Sequence, residues 1–166
     1  MSKKEFILDQ LAVCRNTDSW FKPLSKALEG LTAEQASWKP NKDSHSIAQI
    51  ASHLFFYNER WLQRFRGQII NDYPETNAST FTELNNVTEE NWIALAQHLD
   101  QSLEKWQLAI GQATEEALHK NIPEFPEEAV WWEALSNLCT HNAYHIGQMI
   151  YIRKMQGSWI IAEDWY

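Results

Sequence analysis

Residues 126–157 read PEEAVWWEALSNLCTHNAYHIGQMIYIRKMQG, and this stretch decides the fold. Pro126 suits a first helical position, where no N–H is needed, and Glu127 and Glu128 stand against the positive end of a helix dipole. Arg153 and Lys154 complement the negative end ahead of Gly157. The pattern predicts one helix of about eight turns. At 100° per residue, Trp131, Leu135, Leu138, Cys139, Ile146, Met149 and Ile150 share a face, with Glu133, Asn137, Thr140 and Tyr151 opposite. Such an apolar face has to meet other helices.

His141 and His145 are four residues apart, so their rings project from one side on successive turns. A bare His-x-x-x-His is a weak motif by spacing alone. Position adds to it: both residues sit on the border between the apolar stripe and the polar face. A core histidine would lie mid-stripe and a solvated one mid-polar-face, whereas a border pair can hold one metal ion.

Working outward, the chain of 166 residues predicts a single domain over residues 1–166. Nine tryptophans and 13% aromatic residues suit a bulky aromatic core, with some rings left for a pocket or subunit contact. A net charge of −8 argues against a nucleic-acid or anionic-membrane surface, and the short basic cluster of Arg60, Arg64 and Arg66 does not reverse it. Residues 1–6 have no apolar run behind them and no segment reaches transmembrane length, so the expectation is a cytoplasmic protein. Cys14 and Cys139 resemble neither a disulfide framework nor a thiolate metal site and read as buried free thiols.

Before the deciding stretch, three further helical patterns occur. Residues 2–30 carry Phe6, Ile7, Leu11, Trp20, Leu24 and Leu28 as candidate core positions, with a kink or restart near residues 16–19 ahead of Pro23 and a stop at Gly30. Residues 31–42 form a connection with one short turn capped by Thr32. A second helix starts near Asp43 or Ser44 and runs to about Gly67, burying Ile47, Ile50, Ala51, Leu54, Trp61 and Phe65. Residues 71–86 read as a long loop, with room for a short helical turn. Thr88 opens a third helix with a stripe of Trp92, Leu95, Leu99, Leu103, Trp106 and Ile110, ending near Gly111. Residues 114–125 hold a short acidic turn and an extended segment. Four amphipathic helices and no strand pattern predict an all-α four-helix bundle.

Zinc or nickel held by two histidines one turn apart needs a further protein ligand from a facing helix. Of the other four histidines, His53 lies at the edge of the second helix's stripe, beside Tyr57, and His98 near a border of the third. His45 at a helix start and His119 in a loop read as surface residues. Placement puts His53 first, narrowly ahead of His98.

The segments SIAQIASHLFFYNERWL and THNAYHIGQMIYIRKMQG together resemble the DinB/YfiT-like family. Ser46, Ile47 and His53 match the family's Ser-Ile pair seven residues before a histidine, and His141, His145, Gly147 and Gln148 match its His-x-x-x-His-x-Gly-Gln run. WFKPLSKALEGLTAEQASWKP is similar to the family's first helix and connection. The resemblance implies a four-helix bundle in a variant of the up-and-down topology, often a homodimer, with nickel or zinc on His53, His141 and His145. It further implies thiol S-transferase, isomerase or hydrolase chemistry on a small-molecule substrate, in some relatives with a low-molecular-weight thiol.

The expected chemistry is that of a divalent metal on three neutral imidazoles with an open position. Tyr57, one turn after His53, and Gln148, three residues after His145, are candidates to orient a ligand or a substrate. Glu59 is the acidic residue nearest His53 in sequence, but helical geometry turns it away. The alternative is a non-catalytic dimer with a weak or vestigial metal site, in which Trp131, Trp132 and Trp159 form the subunit contact.

Overall fold

Short polar side chains write most of the helix starts in the computed structural model, which describes residues 1–70, 74–83, 88–125 and 128–159. Ser2, Thr32 and Ser46 each close a capping box, with Glu5, Gln35 and Gln49 three residues on. Thr88 and Thr114 accept from the backbone N–H three residues ahead. The helices are α1 Lys3–Arg15, α2 Leu24–Leu28, α3 Ala33–Ser37, α4 Ile47–Phe65, α5 Glu89–Gln112, α6 Glu115–Leu118 and α7 Trp131–Met155. A 3₁₀ turn covers Ala78–Thr80. Among the described residues there is no strand, only an isolated antiparallel bridge between Asn121 and Val130.

The fold is an all-α four-helix bundle made by α1, α4, α5 and α7. α1 packs on α5 and α7, and α4 packs on the same two, so α1 and α4 stand across the bundle from each other. Lys4 at the start of α1 reaches the Gly111 carbonyl near the end of α5, and Arg15 at its end pairs with Asp100, so these helices are antiparallel. α4 and α7 are antiparallel as well, since Asn58 meets Asn142 while Phe65 meets Trp131. α4 and α5, though consecutive long helices, run parallel: Phe55 faces His98 and Glu59 pairs with Lys105. The connecting chain therefore has to travel back along α4, a helix of roughly 28 Å at 1.5 Å per residue.

The core is built from the predicted stripes. Ile7, Leu11, Ile47, Leu54, Leu99, Leu103, Trp106, Ile110, Leu135, Ile146 and Met149 are at most 1% exposed. Burying each such side chain contributes about 1.5–3 kcal/mol, which is why these stripes hold the helices together. Buried Arg153 donates to the Lys26 and Ala27 carbonyls and docks the C-terminal end of α2 on α7. Gly30, Gly67 and Gly157 follow helix ends with φ between 69° and 77°, the left-handed conformation that glycine adopts without a Cβ clash.

Four expectations change. The break expected near residues 16–19 is present, with α1 ending at Arg15 and α2 starting after Pro23, but Trp20 between them is 99% exposed rather than core. Phe6 is also largely exposed, because the buried stripe of α1 runs through Ile7, Leu11 and Cys14 instead. α4 starts after Ser46, not at Asp43 or Ser44, because the Ser46–Gln49 capping box fixes the boundary. α7 starts at Trp131: Val130 is extended, and the Trp131 N–H bonds to the Lys120 carbonyl while the Ile122 N–H bonds to that of Ala129. Those bridges hold the chain out of the helix. Glu128 precedes α7, and Pro126 and Glu127 lie outside the described residues, as do residues 71–73 and 84–86 of the expected loop.

Candidate metal centre

His53 comes from the middle of α4, and His141 and His145 from successive turns of α7. Antiparallel packing brings the three together. His53 Nε2 lies 3.0 Å from His141 Nε2, and His145 Nε2 lies 3.1 Å from the same atom. One nitrogen from each ring lies within 4.8 Å of those of the other two. His53 and His145 are 1% and 6% exposed; His141 is half-buried and forms the open side.

The outer nitrogens decide which atoms carry protons. His53 Nδ1 is 2.6 Å from Thr80 Oγ1, and that hydroxyl donates its own hydrogen to the Asn77 carbonyl. Thr80 is thus left as an acceptor, so His53 Nδ1 holds the proton and Nε2 presents a lone pair. His145 Nδ1 is 2.7 Å from Gln148 Oε1, a carbonyl oxygen that only accepts, which fixes the same tautomer. Two lone pairs therefore point at His141 Nε2, which can satisfy at most one of them with a proton.

Burial pushes the pKa of His53 down to about 3, with the neighbouring histidines adding to it. Burial, then His145, takes His141 down to about 4, and burial lowers His145 as well. All three rings are neutral near pH 7, the form in which imidazole binds a metal. Two nitrogens on one tetrahedral zinc at about 2.0–2.1 Å stand about 3.3 Å apart, close to the separations found here. The donor set, its tautomers and its spacing all fit a divalent cation. Among the described residues, no other group of three potential ligands gathers in this way.

Phe81 stacks on His53 at 3.9 Å between centroids, and His45 stacks on the other face of Phe81 at 4.0 Å. The crossing chain between α4 and α5 thus supplies Thr80, Asn77 and Phe81, three neighbours of the site that no sequence pattern marked. The predicted orienting residues divide. Gln148 bonds directly to His145, whereas Tyr57 packs edge-on to His53 and donates to Asn77 Oδ1 rather than to a histidine. His98 is exposed against Phe55, His119 is exposed near Glu115, and Glu59 is turned to Lys105; none joins the cluster.

A cavity of about 410 Å³ opens beside His141. Its walls include Trp61, Phe125 and Leu138, with Tyr57, Asn77, Glu133 and Asn137 supplying polar groups. Cys14 and Cys139 lie elsewhere, free and buried; burial pushes the Cys14 thiol up to about 12 and Cys139 higher still, so neither is a ready nucleophile.

An all-α bundle with a tri-histidine cluster between antiparallel helices is the class of protein these features define. The chain belongs to the DinB superfamily, whose profile matches residues 19–149. Among solved structures it is similar to YfiT from Bacillus subtilis, described as a probable metal-dependent hydrolase with an unusual four-helix bundle topology. The two share 17% identity with a TM-score of 0.69, covering 93% of this chain and 87% of YfiT, a likeness of fold. No curated protein matches significantly.

Proposed function

We propose that the protein is a metal-dependent enzyme acting on a small molecule, with His53, His141 and His145 holding one zinc or nickel ion. The observation that carries this is the pair of lone pairs, on His53 Nε2 and His145 Nε2, converging on His141 Nε2 with both outer Nδ1–H groups tied off. A divalent ion held there would activate water or a thiol near neutral pH and polarise a substrate carbonyl.

The chain's own residues do the rest. Thr80 and Gln148 hold two rings in the ligating tautomer, and the aromatic faces of Phe81 and Tyr57 enclose His53. His141 faces the cavity, where a substrate's reacting group would approach. With both thiols buried, the chemistry calls for no protein nucleophile. Hydrolysis and thiol transfer are the two reactions we propose for such a site, and the description of YfiT as a probable metal-dependent hydrolase supports the first. The family resemblance supports a homodimer, in which Trp131, packed inside the protomer at 6% exposure, is not available to a partner.

The test is metal content by plasma mass spectrometry on tag-free protein reloaded with zinc or nickel, beside His53→Ala and His141→Ala. About one metal per chain, lost in both variants, is the expected result. That protein is then screened against ester, amide and thiol-plus-electrophile panels. Turnover that persists without metal would refute the proposal.

A further inference from the structure

Glu133, Asn137 and His141 are spaced four residues apart on α7 and form a ladder along one wall of the 410 Å³ cavity. Trp61, Ile122 and Phe125, with Ala134 and Leu138 of α7, also line it. Among the described residues that line the cavity, Glu133 is the one charged side chain.

Glu133 is exposed on α7, and several other carboxylates of the bundle are held by a partner. Asp100 is paired with Arg15, Glu59 with Lys105, and Glu115 with the backbone N–H groups of Lys3 and Lys4. The side chains of Glu133 and Asn137 have no hydrogen-bond or ion-pair partner among the described residues. Arg64 stacks on Phe125, 4.7 Å from its centroid, but does not line the cavity.

We infer that the cavity selects a substrate with an apolar, preferably aromatic, body and a cationic group, the cation pairing with Glu133 and the reacting group lying toward His141. This rests on the proposed function for its reacting end only. Eight residues of helix separate Glu133 from His141, a rise of about 12 Å. The substrate is therefore elongated, with its positive charge roughly that far from the bond that reacts. Trp61 and Phe125 favour the same ligand, because they pack an apolar body and their ring faces attract a cation. An anionic thiol or acid would meet the Glu133 carboxylate with no lining cation to offset it.

The test uses three probes with one phenylbutyl body: the trimethylammonium salt, the alcohol and the carboxylate. A quaternary ammonium cannot ligate a metal, so titration calorimetry on zinc-loaded and on metal-free protein separates the cavity from the metal site. The cation should bind roughly five- to tenfold more tightly than the alcohol, and in the metal-free protein, where it has no zinc to ligate, the carboxylate should bind more weakly than either. Glu133→Gln should remove most of the cation's advantage, leaving the part owed to the ring faces, and leave the alcohol's affinity unchanged. Ala134→Trp, checked for fold by circular dichroism, should weaken all three by filling the cavity. A carboxylate that binds the metal-free protein as tightly as the cation does, or a cation advantage undiminished in Glu133→Gln, overturns the inference. Failure of the metal proposal would instead appear as absent metal, with the charge preference intact in both preparations.

Discussion

Asn58 and Asn142 exchange amide hydrogen bonds in the middle of the bundle, Asn58 Nδ2 to Asn142 Oδ1 at 2.8 Å and Asn142 Nδ2 to Asn58 Oδ1 at 3.1 Å. Both residues are at most 1% exposed. Asn58 also donates to the Leu54 carbonyl, and its own carbonyl accepts from Trp106 Nε1 on α5. Three helices therefore meet at one polar point, five residues along from His53 and next to His141. A slip of α4 against α7 would break both amide bonds and separate the histidines.

Asn142→Leu leaves the Asn58 amide without its buried partner and should cost about 1–3 kcal/mol in urea unfolding. Asn58→Leu combined with Asn142→Leu should recover most of that, since no polar group is then orphaned, yet bind zinc less tightly because the register is no longer fixed. A double variant that matches the wild type in zinc affinity would show that the pair holds the fold without positioning the site.

Thr80→Val keeps the shape of the side chain but removes the acceptor for His53 Nδ1–H. Zinc affinity, measured by competition with a chromogenic chelator, should fall by about 10- to 100-fold while the circular dichroism spectrum is unchanged. Gln148→Leu should act similarly through His145. Unaltered affinity in both variants would mean that the outer hydrogen bonds do not set the tautomers.

The metal-free protein should lose stability in mild acid. Folding lowers the pKa of His53 and His141 to about 3 and 4, so below the unfolded value of about 6.5 the unfolded chain binds more protons than the folded one. The destabilisation is absent above pH 6.5 and grows as the pH falls toward the folded values, by at most roughly 1.4 kcal/mol per pH unit for each histidine. Urea titrations at pH 7.5 and 5 should show a larger drop for the wild type than for His53→Gln. Equal drops would rule out the histidine cluster as the cause.

Gly147 matches the sequence motif, yet a Cβ there would meet nothing within 4 Å, and the residue is exposed inside α7. Gly147→Ala should therefore raise stability by about 0.5–1 kcal/mol, as glycine weakens a helix interior. A loss of stability would mean that another surface approaches α7 at this point, which sedimentation velocity on the same variant would reveal.

Local patterns announced themselves well before folding. The stripes of α4, α5 and α7 followed from periodicity, and the caps at Thr32 and Thr88 from short hydroxyl side chains ahead of polar first turns. The spacing of His141 and His145 needed only helical geometry. Between His53 and His98 the residues alone gave a narrow preference, because both sit near stripe borders; the packing of α4 on α7 puts His53 in the cluster and leaves His98 exposed.

The sequence by itself determined the helical class and the histidine pair, since both depend on neighbours within a turn or two. The parallel course of α4 and α5 was decided only by tertiary packing, and with it the crossing chain that brings Thr80 and Phe81 onto His53. The exposure of Trp20, the late start of α7 and the cavity between Trp61 and Glu133 belong to the same level. Each depends on groups far apart in the chain, whose meeting is set by how whole helix faces fit rather than by any short run of residues.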